Sequence, residues 1–306
     1  MTTTVDRATR AGADPAPRRS RLTLHELMMA PALLLLAVLS IIPLVTLIAM
    51  SFSRVRLLGG VRLEWVGLDN WSRALTDADL WHGWALTLVY FVITLAIEMV
   101  LGIAIAAVLS RLARGRGPLL VLVLLPMFVA PAIVGLLGRY LTDSTFGLYA
   151  WVLQGVGIHH DILGNPHSAL AAVVLMDVWE WTPLIALISL AGMTSVNPSI
   201  LEAAALDGAG SWRTLWHIVL PSIMNVLTVA LLIRSMDLVR YFDIITVTTN
   251  GGPADATKIM PLRLYESSFR FFDLGYAAVI GLMMLVLTIV IARIFVRMLS
   301  GKGQNA

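Results

Sequence analysis

The chain has 306 residues, of which 58% are hydrophobic and only 13% are charged, and its mean hydropathy is +0.84. A soluble domain carries about 25% charged residues. This chain cannot cover itself with a water-facing surface, so we expect an integral membrane protein surrounded by lipid. The formal net charge of +3 is too small to favour a nucleic-acid partner, and the absence of cysteine excludes disulfides and thiolate metal sites.

The N-terminal segment, residues 1–24, is rich in arginine, proline, alanine and threonine. We predict a disordered, basic, cytoplasmic tail there. A basic run before an apolar stretch is also typical of a signal peptide. However, the stretch that follows is too long for the apolar region of a signal peptide, and no clear cleavage site follows it. We therefore interpret it as a retained first helix.

Six apolar segments are each long enough to cross a bilayer, which takes about 20 residues. They cover residues 27–53, 83–110, 117–138, 169–193, 218–245 and 274–292. We predict an all-α membrane protein in which a six-helix domain occupies residues 25–298 and a cytoplasmic tail follows at 299–306. The segments on the N-terminal side carry 12 lysines and arginines, against 8 on the other side, so the positive-inside rule places both termini in the cytoplasm.

The outer loops contain two aromatic stripes and one strong turn signal. Aromatic and apolar residues recur at helical spacing in residues 147–158, and again at Tyr265, Phe269 and Phe272. Both stripes are typical of helices that lie at the membrane interface, and we interpret them as packing surfaces. The run Asn-Gly-Gly-Pro at 250–253 predicts a turn.

A polar segment with two short helices separates the fourth and fifth apolar segments. Asn197 can cap the first of these helices, with Pro198 at the first helical position. Alternatively, Ser199 and Glu202 can form a capping box, and the sequence leaves the choice open. Small alanine side chains follow, which let another surface approach closely. Gly208 permits a sharp turn with positive φ, after which a serine, Ser211, can cap the second helix.

The sequence of this segment resembles the cytoplasmic loop of ABC importer permeases. The shared pattern is E-A-A, three residues, G, nine residues, and I-x-L-P. The positions that we assign to it are Glu202, Ala203, Ala204, Asp207, Gly208, Ile218, Leu220 and Pro221. By this resemblance, residues 194–221 form a cytoplasmic coupling loop that docks in a groove of an ATPase subunit.

Three other segments narrow the resemblance to carbohydrate-uptake permeases of the MalF and UgpA type. They are residues 67–71 (GLDNW), 177–183 (DVWEWTP) and 249–257 (TNGGPADAT). The resemblance implies a type I ABC importer permease fold in the cell (inner) membrane. It also implies four partners for each importer: a second homologous permease, two ATPase subunits, and an extracytoplasmic solute-binding protein.

The sequence contains no G-x-x-x-x-G-K-[ST] phosphate loop, no metal-ligand spacing and no nucleophile–base motif. We therefore predict no catalytic, metal or cofactor site in this chain. By the resemblance, ATP and Mg are bound by the partner ATPase subunits.

Ionisable residues inside the apolar segments are functional candidates by default, because a charge at bilayer depth is costly unless it is paired or hydrated. Glu98 lies in the second segment, and four charged residues recur every three positions in the fifth segment. They can form a self-neutralising stripe that holds the helices together, or a polar wall for a hydroxyl-rich solute. The positions that we assign to the solute pathway are Asp177, Trp179, Glu180, Trp181, Arg234 and Asp237.

Trp179 and Trp181 lie about 200° apart on a helix, so we expect at most one of them to face the solute. The leading hypothesis is the translocation subunit of an ATP-driven importer for a sugar, a polyol or a glycerol-phosphate-like solute. One alternative is a stand-alone, ion-coupled secondary transporter, which the intramembrane carboxylates suggest. Another is an importer of the same class for a peptide or phosphate.

Overall fold

The computed structural model describes residues 24–57, 60, 62–112, 114–157 and 161–303. The disorder predicted for residues 1–24 falls outside the described residues, apart from Leu24. Of the tail predicted at 299–306, residues 299–303 belong to the last helix and 304–306 fall outside the described residues. By contacts between Cα atoms, the chain divides into one unit that ends at Thr46 and a second that runs from Leu47. Everything discussed below lies in the second unit, apart from the first part of the first helix.

The described residues are mainly helical. The helices in chain order are α1 (Leu24–Ser51), α2 (Asp69–Thr76), α3 (Ala78–Arg111), α4 (Arg116–Leu124), α5 (Pro131–Thr142), α6 (Leu148–Gly155), α7 (Pro166–Thr194), α8 (Pro198–Leu206), α9 (Ser211–Thr214), α10 (Leu220–Ser222), α11 (Met224–Leu238), α12 (Asp243–Thr248), α13 (Met260–Tyr265) and α14 (Leu274–Gly303). A 3-10 segment covers Leu125–Phe128, and π-helical turns cover Leu215–Val219 and Glu266–Arg270. Helix α6 covers the first aromatic stripe. At the second stripe the helix predicted from the spacing is only partly present, because the helical segment ends at Arg270 and Phe272, with φ +53°, lies beyond it.

Among the described residues, four helices are long and apolar enough to cross a membrane: those at Met28–Ser51, Ala78–Arg111, Pro166–Thr194 and Leu274–Ser300. The third and fifth predicted spans are not continuous helices, which corrects the sequence-based expectation. Arg116–Phe128 and Pro131–Thr142 meet at 91°, and Ser211–Ser222 and Met224–Thr248 meet at 71°. If each bent pair is one span, the number of spans is six.

Prolines explain both breaks. Pro126 and Pro131 flank the first break, and proline can neither donate a backbone hydrogen bond nor sit in a helix interior without strain. Pro221 lies two residues before the second break and two residues after the π-helical turn ends at Val219. The chain bends at Ile223, which has φ −100° and ψ 10°.

The prediction of an all-α protein is wrong in one place, where two short strands form an antiparallel ribbon. Strands β1 (Ser53–Arg56) and β2 (Arg62–Trp65) pair with Ser53 opposite Trp65. Glu64 is the register partner of Arg54, but its carboxylate pairs diagonally with Arg56, whose Nε lies 3.0 Å from Oε1 of Glu64. The Trp65 ring also stacks on Phe52, with 5.5 Å between ring centroids.

Helices α3 and α7 approach closely enough that a glycine is required between them. A Cβ atom on Gly102 of α3 would lie 2.6 Å from Cγ2 of Ile185 on α7. No real Cβ makes so short a contact, so the small residue sets the separation of the two helices. Further along, Tyr90, Val178 and Leu238 belong to one buried apolar cluster that joins α3, α7 and α11.

Contacts at the two ends of α3 show which segments lie near each end. At its C-terminal end, Nη2 of Arg111 donates to the carbonyl oxygen of Ser211 at 3.0 Å. At its N-terminal end, Asp77 caps the helix and accepts a hydrogen bond from the hydroxyl of Tyr276. The segment that contains the E-A-A pattern therefore lies at the opposite end of α3 from the loop before α14.

Candidate functional site

The first half of the polar segment is a helix whose N-terminus has a clear cap. The side chain of Asn197 accepts a hydrogen bond from the backbone N–H of Ser199 at 3.1 Å, and Pro198 occupies the first helical position of α8. Of the two caps that the sequence allowed, this one forms.

The C-terminus of α8 is a Schellman motif. The N–H of Ala209 donates to the carbonyl of Ala204 at 2.9 Å, and the N–H of Gly208 donates to Ala205 at 3.1 Å. Gly208 has φ +73°, which glycine adopts without strain. The expected cap of the second helix is wrong: Gly210 holds the N-cap position without a side-chain bond, and Ser211 is the first residue of α9.

The residues of the pattern divide into an exposed group and an anchoring group. Four residues at or near the turn are exposed: Glu202, Ala203, Asp207 and Gly208. Ala204 is buried. Leu220 is also buried, in a cluster with Ala106 and Leu109 of α3. Ile218 is half-buried and Pro221 is exposed. The second half of the segment therefore anchors the exposed turn to the long helices.

Two exposed apolar residues at this turn are not part of the sequence pattern. The side chain of Leu206, the last residue of α8, is 89% exposed, and that of Trp212 is 71% exposed. The Trp212 ring makes an edge-to-face contact with Trp216, with 5.7 Å between centroids. A large apolar side chain at an otherwise polar turn is the signal that could have identified them.

The charged residues of the long helices converge on Arg234. Its Nε and Nη2 atoms each lie 2.8 Å from an oxygen of Glu98, and Nη2 also lies 2.6 Å from Oδ2 of Asp177. All three side chains are completely buried. The guanidinium thus joins α11 to both α3 and α7, as a fork-like donor suits paired carboxylates.

A third carboxylate, that of Asp237, also contacts Arg234 and is partly accessible to solvent. Nη1 of Arg234 lies 2.9 Å from Oδ2 of Asp237, whose side chain is 26% exposed. The other oxygen of Asp237 lies 3.4 Å from Nη2 of Arg240, whose side chain is 77% exposed. We call Glu98, Asp177, Glu180, Arg234, Asp237 and Arg240 the polar centre.

The predicted stripe of charges every three residues is only partly correct. The pair Arg234 and Asp237 lies on α11, but this helix ends at Leu238 and the next begins at Asp243. Arg240 is in the connection, so the four residues do not share one helix face. Asp243 is exposed at the start of α12.

Glu180 joins the polar centre through a residue that the sequence did not single out. The hydroxyl of Tyr241 donates to Oε2 of Glu180 at 2.7 Å. The Tyr241 ring packs edge-on against Trp181, and both rings lie within 6 Å of the Arg234 guanidinium carbon, at 5.7 and 5.2 Å. Such contacts stabilise a desolvated cation.

Trp179 faces a different part of the molecule, as the helical geometry predicts. Its side chain is 51% exposed and lines a cavity of about 740 Å³ with residues of α5 and α6. The lining is almost entirely apolar and includes Val134, Tyr149 and Leu175. Trp181, not Trp179, is the tryptophan that the fold brings to the polar centre.

Comparison with known proteins shows the family. The model of the family described as "Binding-protein-dependent transport system inner membrane component" matches residues 98–302. The trehalose/maltose transport system permease protein MalF of Thermococcus litoralis is 34% identical over 73% of this chain and 76% of its own length. The trehalose transport system permease protein SugA of Mycobacterium tuberculosis is 31% identical over 97% of this chain and 94% of its own.

A solved structure shows the same fold. A chain in the crystal structure of a bacterial ABC transporter involved in the import of the acidic polysaccharide alginate superposes with a TM-score of 0.79. The alignment covers 90% of this chain and 95% of that chain, at 20% sequence identity. Taken together, the apolar helices and the family match show a multi-pass membrane protein, and this chain belongs to the family of binding-protein-dependent transport system inner membrane components.

Proposed function

We propose that this chain is the translocation subunit of an ATP-driven importer whose solute is a carbohydrate or a related polyol. The names of the relatives from Thermococcus litoralis and Mycobacterium tuberculosis, which specify trehalose and maltose, support this solute class. The stand-alone, ion-coupled alternative loses its motivation, because the carboxylates that suggested it are bonded to Arg234 and Tyr241.

The observation that carries the proposal is the exposed turn after α8. Leu206 and Trp212 project from a turn that the Schellman motif closes and that Leu220 and Arg111 tie to α3. An exposed apolar anchor on a rigid support is the arrangement that a protein partner binds. We assign residues 194–221 as the coupling loop and a cytoplasmic ATPase subunit as its partner.

In this proposal each bent helix pair is one span, so the chain crosses the membrane six times and both termini lie on the same side. The excess of lysine and arginine on that side assigns it to the cytoplasm. Irregular backbone at membrane depth is tolerated where protein buries it. Ile223 at the second bend is buried by this chain, whereas Leu125 and Phe128 near the first bend are exposed and would be covered by a partner subunit. Six helices from a second, homologous permease complete the pathway. Two ATPase subunits close on ATP and Mg, move the two coupling loops and switch access. The solute-binding protein docks on the loops at the opposite end.

The test replaces Leu206 with Glu in the assembled importer. The side chain is 89% exposed, so the chain should fold, but a charge should not enter an apolar groove of the ATPase. We expect solute-stimulated ATP hydrolysis and uptake in proteoliposomes to fall at least tenfold, since one anchor residue can contribute about 2 kcal/mol or more.

The matched control is Leu206→Met, which keeps an uncharged, apolar side chain of similar volume at the same position. It should leave stimulated ATP hydrolysis close to wild type. If Leu206→Glu retains full stimulation and uptake, the assignment of the coupling loop is wrong.

A further inference from the structure

The ribbon of β1 and β2 has one charged face and one mainly apolar face. Successive side chains of a strand point to opposite faces, so residues in facing register positions share a face. The charged face consists of Arg54, Arg56, Arg62 and Glu64. The other face consists of Ser53, Val55, Leu63 and Trp65. The ribbon is therefore amphipathic across its thickness.

The apolar face of the ribbon is left largely uncovered by this chain. The Leu63 side chain is 50% exposed and that of Trp65 is 73% exposed, although the Trp65 ring stacks on Phe52. A ribbon surrounded by water on both sides would carry polar side chains on both faces. An uncovered apolar face opposite a charged one is instead typical of an element that lies at the boundary between water and lipid.

The root of the ribbon is fixed where two membrane-spanning helices end. Nδ2 of Asn70 donates to the carbonyl oxygens of Ser51, the last residue of α1, and of Ser53, at 3.1 and 3.0 Å. Gly275, near the start of α14, packs against the same Ser53 carbonyl, and a Cβ atom there would clash with it. Both helices are long and apolar enough to cross a membrane. The ribbon therefore starts at the depth of the lipid headgroups.

The charged face places two arginines opposite each other. Arg56 and Arg62 are register partners, and like charges in facing positions destabilise a strand pair. Arg56 pairs with Glu64 at 3.0 Å, whereas no acidic side chain within the described part of the chain forms an ion pair with Arg62. An anion between the two guanidinium groups would relieve the repulsion, and phosphate matches their paired donors.

We propose that the ribbon lies in the headgroup layer and binds an anionic phospholipid, with its phosphate between Arg56 and Arg62 and with Leu63 and Trp65 directed towards the acyl chains. Tryptophan is enriched at this depth, and the long arginine side chains can reach the phosphates from there. A free phosphate ion would use only the charged face, so the apolar face favours a phospholipid. This site requires only that the chain spans a membrane, and it is independent of the import function.

The first test measures the depth of the apolar face. Since the chain has no cysteine, a nitroxide on Leu63→Cys is its only spin label. The full chain is reconstituted, without a binding protein, in bilayers of phosphatidylglycerol and phosphatidylcholine. We expect oxygen, which concentrates in lipid, to relax this label more than a water-soluble nickel complex does. The control is a label on Leu206→Cys, at the 89% exposed leucine of the coupling loop, which should favour nickel.

Equal access of nickel to both labels would overturn the membrane placement. Protection of the Leu63→Cys label that appears only when the solute-binding protein is added would also overturn it, because the apolar face would then be a protein-docking surface.

The second test measures the preference for the anionic lipid. A fluorophore on Leu63→Cys is quenched by spin-labelled phosphatidylglycerol or phosphatidylcholine, and the ratio of the two association constants gives the preference. Arg62→Gln in this background should lower the preference about fivefold, as for the loss of one basic residue at an anionic surface. Arg62→Lys should retain most of it. Arg213→Gln, at an exposed arginine of the coupling loop, is the control and should leave it unchanged.

An unchanged preference in Arg62→Gln would overturn the assignment of the headgroup site. Loss of the preference when inorganic phosphate is added at constant ionic strength would show a site for free phosphate and would overturn the assignment to a phospholipid.

Discussion

Arg234 holds Glu98, a residue 136 positions away, in a two-point ion pair: Nε and Nη2 each lie 2.8 Å from a different carboxylate oxygen, and both side chains are completely buried. The pair links α11 to α3, and the contact of Arg234 with Asp177 adds α7. Three long helices that are remote in sequence therefore share one charged centre.

Removal of Arg234 should destabilise the chain strongly. In Arg234→Met, three carboxylates lose their cation, and breaking a buried ion pair costs about 3–5 kcal/mol. Denaturant unfolding of the purified chain in mixed micelles measures the change. Arg240→Met is the control, because its side chain is 77% exposed and an exposed ion pair contributes at most about 1 kcal/mol. Equal losses in both variants would contradict this account of the centre.

The close approach of α3 and α7 should be sensitive to a single methyl group. A Cβ on Gly102 would meet the side chain of Ile185 at 2.6 Å and the backbone nitrogen of Ala186 at 3.0 Å. We therefore expect Gly102→Ala to lower the unfolding free energy by about 1–3 kcal/mol through overpacking. Gly117→Ala meets nothing within 4 Å and should leave stability unchanged or slightly raised. Wild-type stability of Gly102→Ala would mean that the two helices can separate freely.

Substitutions of a buried and of an exposed leucine in the coupling loop should affect different properties of the chain. Leu220 is buried against α3, so Leu220→Ala should lower the unfolding free energy by about 2–5 kcal/mol. Leu206→Ala should leave stability unchanged, because the side chain is 89% exposed, yet it should weaken ATPase stimulation. Unfolding curves and ATP hydrolysis, measured on the same preparations, distinguish the two effects. A stability loss in Leu206→Ala would assign it to packing instead.

Asp77 gives the N-terminal end of α3 a pH dependence. Burial raises the pKa of its carboxyl, but hydrogen bonds from Tyr276 and from two backbone N–H groups of α3 outweigh this, so the pKa lies below its ordinary value of 3.8. A carboxyl whose folded pKa is lowered contributes stability above its unfolded pKa and loses it as the pH falls through the folded one.

The advantage of wild type over Asp77→Asn should therefore be complete at neutral pH and should shrink as the pH falls below 3.8. Unfolding measured between neutral and acidic pH checks this. Tyr276→Phe removes one donor and should weaken the dependence. A difference between wild type and Asp77→Asn that stays constant with pH would show that the charge plays no part.

Local signals predicted the parts of the molecule that depend on neighbouring residues. The cap at Asn197, the turn at Gly208 and the ion pair of Arg234 with Asp237 all join residues at most five positions apart. The bends also left a trace in the sequence, because Pro126, Pro131 and Pro221 are visible there.

The rest depends on contacts between distant segments, which spacing does not reveal. Glu98 and Asp177 reach Arg234 only because the helices pack as they do. Helix α11 ends at Leu238, so the four charged residues of the fifth segment do not share one helix face. The connection that follows brings the Tyr241 hydroxyl to Glu180, which is 61 residues away in the sequence. The coupling function and the solute pathway remain predictions for the same reason: each depends on partner chains as well as on this one.

The absence of cysteine makes one labelling measurement decisive for the central claim that the turn after α8 lies in the cytoplasm against an ATPase. Leu206→Cys would carry the only thiol of the chain, and Leu68→Cys would place one at the opposite end of α3. With intact cells and a membrane-impermeant maleimide, the account predicts labelling of Leu68→Cys alone. With the assembled importer and a photoactivatable maleimide, it predicts a crosslink from Leu206→Cys to the ATPase subunit. Labelling of Leu206→Cys from outside, or a crosslink to the solute-binding protein instead, would contradict the account.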